Sequence, residues 1–158
     1  MIQIFRIKQK LLIILAAVYL LFGCVAFVNA HGGGSVLDAA GNSRTFTGVA
    51  FVTCFDDGNG PAENLVARIR DNSPPVDGLL VNLHIFKGNK AVGISDTVSG
   101  DADYSPFVTL HGGTGVYNII VSKTDVGERL FNLEWHCQTA DNIHTGTEIG
   151  VTQFGEPQ

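Results

Sequence analysis

Short apolar stretches separated by turn-forming residues run along the chain after residue 44. Alternation of apolar and polar positions is typical of β-strands with one buried face, and no long helical period interrupts it. Segments rich in Asp, Asn, Gly and Pro lie between the stretches and favour tight turns. The pattern predicts an all-β sandwich of about seven or eight short strands, with candidates at 45–55, 64–70, 79–86, 91–95, 106–111, 116–123, 129–137 and 147–154.

The phase of side chains within the strands predicts which residues form the core. Along 129–137, Glu134 and His136 lie on one face, and the other face is apolar and should be buried: Phe131, Leu133, Trp135 and Cys137. Along 79–86, His84 likewise lies opposite the apolar face. The short connection 124–128 predicts a hairpin between strands 116–123 and 129–137.

The first thirty residues have the order of a secretory signal peptide. Three cations precede the uncharged apolar run 11–27, and Val28-Asn29-Ala30 provides small residues for cleavage after Ala30. An uncleaved anchor and lipid attachment at Cys24 are the alternatives. Cleavage leaves a flexible glycine-rich segment, 31–44, and a single sandwich domain, 45–158, in the periplasm or outside the cell.

Two cysteines, Cys54 and Cys137, follow the signal segment, and an oxidising compartment favours a disulfide between them. A disulfide beside a core tryptophan resembles an immunoglobulin-like sandwich in general character. The resemblance implies that fold class, although Trp135 lies on the same strand as Cys137 and not on a strand between the two cysteines.

Charge and motifs exclude several classes of function. Removal of Arg6, Lys8 and Lys10 leaves seven of the ten cations against 15 acids, a net charge near −8, which disfavours nucleic acids and anionic membranes. His31-Gly32-Gly33-Gly34 resembles the oxyanion motif of lipases, but no Gly-x-Ser-x-Gly sequence accompanies it, so an enzyme is not expected. The acidic segment 96–103 is interpreted as a solvated turn rather than a calcium loop.

All five histidines follow residue 30, whereas the one methionine is Met1, so a metal site would use nitrogen and oxygen donors, which suit Cu(II) or Zn(II). After cleavage, His31 would offer its α-amine and its imidazole together. This arrangement is similar to the histidine brace of secreted copper proteins such as lytic polysaccharide monooxygenases. The candidate ligands are His31, His84, His136 and His144.

Two functions remain from the sequence. In the first, the exported domain binds copper, or zinc, through these histidines. In the second, it is a structural or interaction module of the cell envelope that binds a protein or a glycan without a metal.

Overall fold

The computed structural model describes residues 31–154 as an all-β protein with no helix among them. Its nine strands are β1 His31–Leu37, β2 Gly48–Phe55, β3 Asn64–Asp71, β4 Val81–Lys87, β5 Lys90–Ser95, β6 Val108–His111, β7 Gly115–Lys123, β8 Arg129–Gln138 and β9 Gly146–Phe154. Within this range no helix is long and apolar enough to cross a bilayer. The predicted signal peptide, with Cys24, lies outside the described residues.

Two antiparallel sheets form a sandwich-like arrangement. One has the strand order β1-β8-β3-β6, and the other has the order β5-β4-β7-β2-β9. The predicted disulfide is present between Cys54 on β2 and Cys137 on β8, so it joins the two sheets. The predicted all-β fold, its sandwich-like arrangement and its single disulfide are therefore confirmed.

The core lies between the sheets and has the composition that the strand phases predict. On β8 the expected apolar face is buried, with Trp135 6% exposed, while Glu134 and His136 are half-buried on the other face. The apolar face of β4 is also buried, and His84 lies outside it. The eight predicted strands correspond to β2 through β9 with small shifts at their ends.

Strand β1 lies in the segment 31–44, for which the sequence predicts flexibility. It pairs antiparallel with β8 from His31 opposite Trp135 to Leu37 opposite Arg129. The Trp135 ring covers Gly33, because a Cβ built on that glycine would lie 3.4 Å from the indole. An aromatic side chain over a glycine on an edge strand replaces the packing that the glycine lacks. The glycines of β1 thus permit pairing rather than preventing it.

The hairpin predicted between 116–123 and 129–137 is wrong. These segments are β7 and β8, and they lie in different sheets, so the connection 124–128 crosses the sandwich. The crossing begins beside a buried ion pair: the Lys123 ammonium at the end of β7 donates to Asp38 Oδ2 at 2.6 Å and to the carbonyl oxygens of Ser43 and Asp125. Alternation and a short connection do not distinguish a hairpin from such a crossing.

Candidate metal centre

Three of the four candidate histidines converge at one end of the sandwich. One ring nitrogen from each of His31, His136 and His144 lies within 4.8 Å of the other two. The Nδ1 atom of His31 and the Nε2 atom of His144 are 3.3 Å apart, and their rings are stacked with a centroid separation of 5.2 Å. The plane of the His136 ring is inclined by 72° to both, and its centroid lies 6.3 Å from that of His31 and 5.5 Å from that of His144.

The strand β8 and the turn that follows it position His136 and His144. His144 forms an isolated antiparallel bridge with Gln138, and the backbone N–H of Thr145 donates to the carbonyl of Cys137. Residues opposite each other in an antiparallel pair point to the same face, and so do residues two apart on a strand. His144 therefore shares the face of Gln138 and His136.

The turn between β8 and His144 is short because Asn142 takes a left-handed conformation, with φ of 60°. Asparagine adopts this region more readily than most residues. The backbone N–H of Asn142 donates to the carbonyl of Thr139, and the backbone N–H of Thr139 donates to that of Ile143. These bonds return the chain directly to the edge of β8.

His31 reaches the cluster because β1 begins there. Both β1 and His144 pair with the same edge of β8. The pairing with β1 ends at Trp135, and His144 pairs with Gln138, so a gap separates the two. His31 lies opposite Trp135 and therefore starts from the buried face of β8, but it stands at the end of β1 beside this gap, and its imidazole reaches across the gap to stack on His144.

An open cleft of about 710 Å³ adjoins the three imidazoles. Its walls also carry Asp57, Asn59, Gln138 and Asn142. All three histidines are half-buried, so the cluster is partly shielded from water and yet reachable from the cleft.

On the outer face of β8, a carboxylate and a guanidinium stand beside His136. Glu134 Oε1 lies 3.2 Å from His136 Nε2. The other oxygen, Oε2, accepts from Nε and Nη2 of Arg68 at 2.9 and 2.6 Å. His136 Nδ1 is buried and has no hydrogen-bond partner among the described residues.

Burial and neighbouring charge change the pKa of two groups at the cluster. Burial lowers the pKa of His144, the charge of His136 lowers it further, and Asp57 opposes both effects. Burial by itself raises the pKa of Glu134, but hydrogen bonds and charge from Arg68 and His136 outweigh it, so this pKa falls below its usual value. Glu134 is therefore a carboxylate at neutral pH.

His84 does not join the cluster. It lies on β4 in the other sheet, where it is opposite Gly93, and strands β4 and β8 are not neighbours. His111 is exposed at the end of β6 and stands 3.7 Å from Glu63. The interpretation of the segment 96–103 as a solvated turn is wrong at Asp96: its carboxylate is buried and accepts a hydrogen bond from the backbone N–H of Asp71.

Glu134 and Arg68 also lie at the candidate site, and neither was predicted from the sequence. Glu134 could have been found, because it is two residues from His136 and so shares its face on a strand. Arg68 had no such signal, since it lies opposite Glu134 only through the pairing of β3 with β8.

Comparison with known protein families, curated proteins and solved structures found no match to this chain.

Proposed function

We propose that the protein is an exported immunoglobulin-like β-sandwich that binds a divalent transition-metal ion, with Cu(II) as the expected ion, through His31, His136 and His144. The convergence of three imidazole nitrogens within 4.8 Å carries the proposal. Imidazole is a common ligand of copper and zinc. Binding, and not catalysis, is the role that this ligand set supports.

Cleavage after Ala30 would complete the ligand set. It would free the α-amine of His31, which can close a six-membered chelate ring with Nδ1 of the same residue. Nδ1 is the His31 atom that lies 3.3 Å from His144 Nε2, so the atom required for the ring already faces the cluster. The processed protein would then offer four nitrogens from three residues.

The spacing of the nitrogens bears on the choice of metal. With metal–nitrogen bonds of about 2.0–2.1 Å, tetrahedral ligands lie about 3.3–3.4 Å apart and ligands at a right angle about 2.9 Å apart. The separation of 3.3 Å between His31 and His144 corresponds to the tetrahedral value, which zinc prefers. Chelation by the α-amine favours a tetragonal arrangement of the nitrogen ligands, which is typical of Cu(II). Cu(II) also binds more tightly than Zn(II) to most nitrogen sites. A contraction of this one separation by about 0.4 Å would bring the two nitrogens to the right-angle value.

Metal titration of the processed protein tests the proposal. We expect Cu(II) affinity to fall more than about tenfold in His136→Ala, in His144→Ala and in a form with one glycine before His31, because each loses a ligand. His84→Ala is the matched control, since its imidazole lies on the other sheet. Calorimetry measures the affinities, electron paramagnetic resonance reports the nitrogen ligands, and a parallel Zn(II) titration ranks the ions.

Equal copper binding by all forms, or binding no tighter than that of an unstructured histidine peptide, would contradict the metal site. A module that binds an envelope protein or a glycan would then be the better account of the protein.

A further inference from the structure

We infer that Glu134 and Arg68 are positioning residues of the metal site: they hold His136 as the tautomer protonated on Nε2, so that Nδ1 is the atom that binds the metal. This inference rests on the proposed function for the metal itself. The tautomer is a property of the metal-free protein and can be tested separately.

The contact between Glu134 and His136 determines the position of the ring proton. A carboxylate only accepts hydrogen bonds, so at 3.2 Å from Glu134 Oε1 the Nε2 atom of His136 must be the donor. In a neutral imidazole the other nitrogen is then unprotonated. Nδ1 therefore presents a lone pair.

The environment of His136 Nδ1 supports the same assignment. This atom is buried and lacks a hydrogen-bond partner among the described residues. Buried polar atoms are nearly always satisfied by protein, water or an ion, so an orphaned acceptor needs an explanation. A metal ion held jointly with His31 and His144 would provide the missing partner.

Arg68 holds the carboxylate in place. Arg68 and Glu134 lie directly opposite each other on β3 and β8, and both guanidinium contacts are made to Oε2, which leaves Oε1 for His136. The guanidinium carbon is 4.4 Å from the ring centroids of both Tyr104 and Phe107. Two aromatic rings and a carboxylate thus restrict the Arg68 side chain.

The arrangement is a chain from guanidinium to carboxylate to imidazole to metal. Histidine ligands generally donate their second ring N–H to a carboxylate or a carbonyl, which fixes the ring and raises its basicity. Glu134 occupies that position relative to His136. Glu134 is not in the group of ligand atoms that lie within 4.8 Å of one another, so it supports His136 and is not itself a ligand.

Nitrogen NMR of the metal-free protein, labelled with ¹⁵N-histidine, tests the tautomer. We expect His136 to show the Nε2–H form in the wild type and a mixture of both forms in Glu134→Leu. In Glu134→Gln, Arg68 takes the one amide oxygen, so the NH2 group donates to His136 Nε2 and the Nδ1–H form should dominate. Glu128→Leu is the control, because Glu128 is exposed just before β8, at the end of the strand away from His136. Circular dichroism and thermal unfolding establish that each variant is folded.

The Cu(II) affinity of the processed protein provides the second readout. We expect a loss of about 10- to 100-fold in Glu134→Leu, a loss at least as large in Glu134→Gln, which favours the proton on Nδ1, and none in Glu128→Leu. A wild-type His136 protonated on Nδ1, or full copper affinity in a folded Glu134→Leu variant, overturns the positioning role. A wild type with the Nε2–H tautomer that binds neither copper nor zinc overturns the proposed function instead.

Discussion

Asp38 and Lys123 form an ion pair that is almost completely buried, just beyond the end of β1 that is distant from the histidines. The exposed fractions of the two side chains are 2% and 0%. Burial by itself raises the pKa of the Asp38 carboxyl, but the Lys123 ammonium and the backbone N–H groups of Ser43 and Asn42 outweigh it and lower the pKa to about 2. The carboxylate therefore both closes the turn after β1 and neutralises a buried cation.

We predict that Asp38→Asn lowers the free energy of unfolding at neutral pH and also reduces its loss in acid. The folded pKa of Asp38 is below its ordinary value of 3.8, so the stabilisation is complete above that value and is lost as the pH falls from about 4 towards 2. At neutral pH, leaving Lys123 buried without its partner costs about 3 to 5 kcal/mol. Urea unfolding at several pH values measures both effects.

The exposed Asp77→Asn is the matched control for this experiment. It should keep the pH dependence of the wild type. If Asp38→Asn loses free energy of unfolding between pH 4 and pH 2 as steeply as the wild type, then other carboxyl groups cause the acid sensitivity.

Among the elements, β1 shows what alternation in a sequence does and does not predict. The positions of β2 to β9 could be predicted from apolar stretches and turn residues, and the buried faces of β4 and β8 could be predicted from apolar side chains in phase. His31-Gly32-Gly33-Gly34 has no apolar side chains, and the packing over Gly33 comes from Trp135, a residue about 100 positions away, while at its other end β1 places Leu37 in the core. The alternation of apolar and polar residues within a segment carries no information about a packing partner that is distant in the sequence.

The pairing of strands limited the prediction of the site in the same way. His31, His136 and His144 could be proposed as ligands because each is placed by a processing signal, a strand face or a loop. His84 had equally good local evidence, since it lies on the non-core face of its strand, but strand order separates it from His136. The role of Arg68 also depends on pairing, because β3 brings it opposite Glu134.

We predict that Gly34→Ala weakens metal binding although it is three residues from His31. A Cβ at this position would lie 2.6 Å from the backbone carbonyl oxygen of Phe131, which cannot move aside without disturbing the pairing of β1 with β8. Loosening β1 would release His31 from the cluster. Hydrogen exchange along β8 should increase, and Cu(II) affinity should fall towards that of the glycine-extended form.

Gly32→Ala is the matched control on the same strand. Its Cβ would lie 3.5 Å from the nearest atom, the carbonyl oxygen of Leu133, which is an ordinary contact. If both alanine variants bind copper as the wild type does, then the docking of β1 does not position His31.

At the scale of the whole molecule, the two sheets are linked at both ends of the strands. Near the histidines the link is the disulfide between Cys54 and Cys137, and Cys137 directly follows His136. At the other end the links are an ion pair and a hydrogen bond. Lys123 on β7 pairs with Asp38 after β1, and Asp96 after β5 accepts from the backbone N–H of Asp71 on β3. Loss of the disulfide would leave this ion pair and this hydrogen bond in place.

We predict that replacing both cysteines with alanine lowers stability far more than it lowers metal affinity. The disulfide spans 83 positions, and in the chain-entropy account closing a loop of this size stabilises the fold by about 4 to 5 kcal/mol, mainly by restricting the unfolded chain. The three histidines are held by backbone pairing along β8, which the substitution leaves in place. Below its unfolding transition, the double variant should therefore bind Cu(II) within about threefold of the wild type, a difference of about 0.65 kcal/mol.

Urea unfolding and copper titration of the same preparation separate the two effects. A drop in affinity as large as that of His136→Ala would mean that the covalent link, and not strand pairing, sets the geometry of the site.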